Sequence, residues 1–394
     1  MQPKLIVLIF IGILVLGLFA TQTPHSASPP ITNQEAFTKQ IMVPANTKIL
    51  EINHRSGNVN VEGWDKPFIL LEGTKGVVAN DPRTAQLATE SIQIVAFEKS
   101  GNRLALEYHG PGSSSDVQVE EKDVNFVLHV PSFLALDMDV RQGRIGVKDI
   151  QNHVSIDHRD GDVKAESIQG KLQIRSKKGN ITVRSVKQSL RMDTRDGTVS
   201  IQDVGWDLAI QHQYGDVTIN QVGGSVVFNG YEAPVLITNI KGRLEIDNRR
   251  GDVECLRFED ALDVYINHGT LKADAGKILA HNYYCRIDDG DVILRIPQES
   301  SALFDIRVEN GRIHSDFHMP LWADGKVSVA KGAMKDGRNM VSCWVRKGTV
   351  SILKSSSIGG TGSRFTAPSY EPDPLPTAQA EPAPLDLTPA RVTP

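Results

Sequence analysis

The stretch "IDHRDGDVKAESIQGKLQIRSKKGNITV", Ile156 to Val183, decides the fold. Read once, its "HRDGD" suggests chemistry: "HRD" opens a protein-kinase catalytic loop, and two acids flanking a glycine could form a calcium turn. Read twice, it is a repeat. Gly161 and Gly179 stand 18 residues apart, and an apolar pair precedes each (Val154 and Ile156; Leu172 and Ile174) and follows each (Val163 and Ala165; Ile181 and Val183).

The step continues outward. Gly197 and Gly215 follow in register, Ala233 takes the place without breaking it, and Gly251 and Gly269 resume it. Gly143 precedes Gly161, and beyond Gly269 the step lengthens to 21 at Gly290 and Gly311. "LEINHRSGNVNVEGW" around Gly57 and "MVSCWVRKGTVSILK" around Gly348 have the same form. Apolar residues hold five columns, at offsets −7, −5, +2, +4 and +7 from the glycine. Two short strands of period-two alternation therefore meet at each glycine, which supplies the φ > 0 a corner needs. One such unit cannot bury its apolar side; stacked units can. The expected fold is all-β, a single-stranded β-solenoid with 18–21-residue coils, coiled as a right-handed β-helix in keeping with parallel crossovers. A six-residue hexapeptide repeat does not fit these offsets.

Residues 41–130 read as an N-terminal β-rich cap holding the first repeat-like unit. "DPRTAQLATESIQIVAF" predicts a short helix from about Pro82. Regular coils are expected over 131–355 and a linker over 28–40. Residues 1–27 carry Lys4 and the apolar run Leu5–Ala20, which reads as a signal peptide or an N-terminal membrane anchor. Residues 356–394, rich in proline and alanine, read as a disordered tail. The chain is expected in the cell envelope, in the periplasm or at the surface, or secreted.

A formal net charge of −4 over 394 residues argues against nucleic-acid binding. The corner residues around the glycine change sign and type from coil to coil ("SKKGN", "TRDGT", "HQYGD", "NRRGD"), which no catalytic constellation tolerates. Asp162, Asp216, Asp252 and Asp291 follow their glycines, but Asn180, Thr198, Pro234 and Thr270 interrupt a calcium ladder. They read as turn acceptors bonding to their own backbone. His158 and His212 lie three coils apart, about 14 Å, too far to share a metal. Asp160, Lys178 and Asp196 are cross-coil neighbours that could pair. Cys255, Cys285 and Cys343 fall on inward positions and read as buried free thiols. The assigned positions are thus the structural corner column Gly57, Gly143, Gly161, Gly179, Gly197, Gly215, Gly251, Gly269, Gly290, Gly311 and Gly348, with no catalytic, cofactor or metal residue. An enzyme would need a carboxylate-lined cleft near 276–303, where the coils lengthen. No aromatic or basic stripe marks the outward residues.

The units "IRSKKGNITV" and "IDNRRGDVEC", the strand "GNRLAL" and the entry "VLHVPSFLALDMDV" resemble the bacterial putative-adhesin family of β-strand-repeat proteins, a domain of unknown function. The likeness spans roughly residues 40–355. It implies an extracytoplasmic solenoid without catalytic residues, an adhesin or surface-binding scaffold for a glycan or protein ligand, touching membrane only through its N-terminal segment. A self-assembling structural solenoid and a membrane-tethered sensor stand as alternatives, with a polysaccharide-active β-helix enzyme behind them.

Overall fold

The computed structural model describes residues 31–110 and 119–355. The proposed signal or anchor and the proline-rich tail lie outside them.

The repeat builds the body. Strands from Ala135–Gln142 to Tyr283–Asp289 form one parallel sheet in direct register, Val154 on Leu172 on Leu190 on Leu208. Strands from Ile145–Ile150 to Val292–Pro297 form a second, Val163 on Ile181 on Val199 on Val217. All five apolar columns point between the sheets and are buried. Each fully buried Leu, Ile or Val contributes about 1.5–3 kcal/mol.

Both corners explain the offsets. Gly57, Gly143, Gly161, Gly179, Gly197, Gly215, Gly251, Gly269, Gly290 and Gly348 take φ between 118° and 150°. A Cβ at Gly179 would lie 1.9 Å from the Gly161 carbonyl oxygen, so the stack also demands the missing side chain. Ala233 turns without entering the left-handed region, and the buried Asn248 amide donates to its carbonyl (3.0 Å). The uneven step from +4 to +7 arises at +6. There Asp149, Ser167, Ser185, Asp203, Gln221, Asn239 and Arg257 adopt φ of 54° to 64°, inserting one residue before the second corner.

The ends depart from sequence order. The Gly57 unit is not outermost: Ile49–Ser56 lies between Ala135–Gln142 and Arg103–His109, parallel to both. Val59–Trp64 likewise lies between Ile145–Ile150 and Val119–Pro131. Antiparallel strands then close this end, Gln93–Lys99 on one sheet and Phe68–Ala79 on the other. Helix Pro82–Glu90, capped by Asp81 accepting from the Thr84 N–H (2.9 Å), packs there. Residues 28–40 are no linker from Ile31 onward, because Ile31–Met42 is a strand antiparallel to Phe68–Ala79. Its hydrogen bonds satisfy an edge that would otherwise be open.

At the far end Asn339–Ser355 inserts between the Gly290 coil and strand Ala302–Ser315, so the corners stack Gly290, Gly348, Gly311. Gly311 is therefore not a corner like the rest. It lies inside the continuous strand Ala302–Ser315, outside the left-handed region, and keeps only its place in the column. Antiparallel Val327–Met334 and Leu321–Asp324 finish the first sheet.

Candidate functional site

Three places collect polar or aromatic groups. The first is inside. Offset −3 continues the alternation of −7 and −5, yet it carries His54, His158, Ser176, Thr194, His212 and Asn248, all buried. His212 Nε2 meets the Gly215 carbonyl (3.1 Å) and its Nδ1 meets the Thr194 hydroxyl (2.6 Å). His158 Nδ1 contacts the Val140 carbonyl (2.8 Å), and the Asn248 amide donates to Gly251 (3.1 Å). Burial pushes the His212 pKa down, opposed by bonds to the Gly215 and Tyr214 backbone. This ladder holds corners together: His158 and His212 are separated by Ser176 and Thr194 in register. Period-two alternation was the signal for it, obscured by its polar residue types.

The outer corner column behaves differently from expectation. Asp162 does not bond to its own turn; its carboxylate accepts from the Asn180 N–H of the next coil (2.9 Å). Asn180 passes the contact to Thr198 (3.0 Å), and Asp252 to Thr270 (2.8 Å). A side chain reaching along the stack saves the next coil's N–H from going unpaired. Asp196 pairs with Arg195 beside it (3.1 Å) rather than with Lys178, whereas Glu232–Arg250 (2.8 Å) and Asp289–Lys347 (3.1 Å) do pair across coils. Among the described residues no group of His, Cys, Asp or Glu could hold a metal ion.

The second place is a groove of about 630 Å³ where the coils lengthen, between Ile278–Ala280, Glu299–Ser301 and Lys335–Asn339. It matches the position expected for a cleft, but one of its two acids, Asp336, is committed. The Ser301 hydroxyl, then Arg338 (2.5 Å), hold its carboxyl below the usual range. Lys335 donates to the Glu299 carbonyl, and the Asn339 amide to that of Leu279 (2.9 Å). These bonds tie three loops into a corner, while the groove's second acid, Glu299, keeps one buried carboxylate oxygen without a hydrogen-bond partner.

The third place contradicts the expectation that no stripe exists. Offset −4 of the last coils carries Tyr265, Arg286, Trp344 and Arg307, and register sets them side by side in that order. Arg307 continues through Val329 to Trp322 on the capping strands. The Arg286 guanidinium lies 5.6 Å from the Tyr265 ring and 4.7 Å from that of Trp344. Each such contact stabilises by about 0.5–1 kcal/mol when exposed. Asp288 accepts from the Tyr265 hydroxyl (3.3 Å) and Asn267 (3.4 Å) and pairs with Arg346 (3.8 Å) and Arg286 (4.0 Å). Arg307 is held by Asp305 (3.3 Å). Trp322 and Tyr284 remain 43 % and 45 % exposed. In sequence order the two arginines would be adjacent and repel. Inserting the Trp344 strand between them makes cation and ring alternate, and this is why linear reading missed the stripe.

A family model described as Toastrack DUF4097 matches residues 18–223 and again 187–353. The chain belongs to the Toastrack DUF4097 family. The two matches overlap, as a repeat of such even step allows. Three solved structures are similar to this Toastrack chain. A putative cell adhesion protein from Clostridium sporogenes shares 10 % identity over 82 % of this chain and 100 % of its own, with a TM-score of 0.20. A putative lipid binding protein from Parabacteroides distasonis shares 11 % over 82 % and 97 %, with a TM-score of 0.29. A putative adhesin from Bacteroides fragilis shares 9 % over 81 % and 97 %, with a TM-score of 0.23. Among curated proteins no relative matches. No helix of the described residues is long and apolar enough to cross a membrane.

Proposed function

We propose that this protein is an exported, non-enzymatic adhesive scaffold that binds a protein surface through the stripe Tyr265, Arg286, Trp344, Arg307 and Trp322. The observation that carries the reading is the composition and order of that stripe. Trp, Tyr and Arg dominate binding energy at protein interfaces, and paired strands hold Tyr265, Arg286, Trp344 and Arg307 in register before binding, which lowers the ordering cost. The apolar N-terminal run supports export, and the Arg338 ion pair withdraws Asp336 from acid–base work in the groove. Antiparallel strands at both ends of the stack weigh against a self-assembling solenoid.

The test is an array of extracellular-matrix proteins and glycans probed with purified residues 28–394, alongside light scattering. Saturable binding of a protein by a monomer is expected, weakened about tenfold or more by Trp322→Ala and by Arg307→Ala, whose side chains are exposed. Binding indifferent to both substitutions, or glycan binding alone, overturns the site or its partner class. Concentration-dependent filaments without binding would replace the adhesive reading with the structural one.

A further inference from the structure

The stripe has an inner side. Each strand that shows a stripe residue outward carries the preceding residue inward, so Arg286 follows Cys285 and Trp344 follows Cys343. Cys285 and Cys343 are direct register partners on neighbouring parallel strands, although 58 positions apart in the chain. Both are buried, and both thiols are free. Cys255 is different: its register partners are Ile237 and Ala273, so no thiol adjoins it in its own sheet.

We propose that Cys285 and Cys343 close an intercoil disulfide that clamps the inserted strand Asn339–Ser355 to the body of the solenoid. Parallel strands stand about 4.8 Å apart, inside the Cα range of about 4.4–6.8 Å that a disulfide spans. Register neighbours keep their Cβ atoms at about the same 4.8 Å, a few tenths of an ångström beyond the usual upper limit of about 4.5 Å, so a small tilt closes the bond. The Cys285 thiol beside it, followed by burial, raises the Cys343 pKa well above that of an ordinary thiol.

The location gives the bond a purpose. Residues between the two cysteines include Ala302–Ser315, Leu321–Asp324 and Val327–Met334, the whole closing element of this end. Asn339–Ser355 lies before Ala302–Ser315 in the stack although it follows it in the chain. A covalent tie between Cys285 and Cys343 selects the inserted order, and with it the alternation of rings and guanidinium groups outside. Because burial in the completed fold shuts out reagents, the bond forms as the two strands come into register, before this end of the stack closes. One thiolate attacks a disulfide-bearing oxidant of the dithiol–disulfide exchange class, releasing one of its thiols. The second cysteine then displaces the other thiol from the mixed disulfide, so two thiols here are oxidised and the oxidant's disulfide is reduced. The inference rests on the export reading, since an oxidising compartment supplies such partners.

The experiment refolds the full chain in a buffer of reduced and oxidised glutathione, alkylates it unfolded without reductant, and maps its peptides by mass spectrometry. The expected result is a single alkylated cysteine, Cys255, and a linked peptide pair joining Cys285 to Cys343; Cys343→Ser loses the linked pair. Three alkylated cysteines, or a linkage through Cys255, would overturn the proposal. The same alkylation on protein taken directly from the producing cell reads export separately. Reduced thiols there with a correct bond after refolding would sink the export reading and leave the clamp geometry standing.

Discussion

At the scale of a residue, one corner shows how sterics and burial divide the work. Gly179 is required twice over, by φ of 129° and by the carbonyl of Gly161 stacked beneath it. Gly179→Ala should therefore cost at least about 1–3 kcal/mol, the usual range for a side chain forced into the left-handed region, whereas exposed Lys177→Ala should stay within about 0.5 kcal/mol. Urea melts of the two variants decide it, and equal midpoints would remove the close-approach argument. His212 makes a different prediction. Its pKa is lowered in the folded state, so the unfolded chain binds more protons just below the ordinary imidazole value of about 6.5. Stability is whole above that pH and declines as pH falls toward the folded value. His212→Asn should flatten this decline, because Asn248 makes the equivalent bond to its own corner glycine without a titrating group. Thermal midpoints between pH 5 and 7.5 for both proteins would expose an error in sign.

At the scale of an element, the informative strand is Asn339–Ser355. It is bonded on both edges, to Tyr283–Asp289 and Val292–Pro297 on one side and to Ala302–Ser315 on the other. Val341, Cys343, Val345, Val350 and Ile352 are buried along it. Despite its position near the end of the described chain, its amides should exchange as slowly as those of Ile181–Val186 in the middle of the stack. Leu321–Asp324, exposed at every residue and paired on one edge, should exchange first. Hydrogen exchange read by mass spectrometry distinguishes the inserted order from the sequential one, in which Asn339–Ser355 would be the fraying edge.

At the scale of the molecule, the body is a one-dimensional stack in which each coil meets only its neighbours. Removing residues 180–197 joins Gly179 to Thr198 and leaves every apolar column in register, with Ser176 brought beneath His212 in place of Thr194. The shortened protein should fold, with a stack shorter by about 4.8 Å. Removing one residue fewer turns a strand's apolar face outward and should abolish cooperative melting. Small-angle scattering and circular dichroism test the pair. Folding of both, or of neither, would contradict a register-locked stack.

The body of the fold was legible in the sequence because its contacts repeat at a constant step. Column positions such as Leu172, Ile174, Ile181 and Val183 announce their neighbours 18 residues away, and the glycine corners follow from backbone sterics. The cap helix was legible from Pro82. The buried ladder of His158, Ser176, Thr194 and His212 was present as alternation but hidden by its polarity, with one ring nitrogen of His158 bonded to the Val140 carbonyl and one of His212 to that of Gly215. What only the tertiary structure decided is the order of layers at both ends. At each end two segments present apolar residues to the same columns, Leu50 beside Leu104 at one and Val341 beside Phe304 at the other. The choice falls to non-local terms: which edge the antiparallel strands cover, and whether Trp344 comes to lie between Arg286 and Arg307. The stripe, the thiol pair beneath it and the function proposed for them arise from that choice.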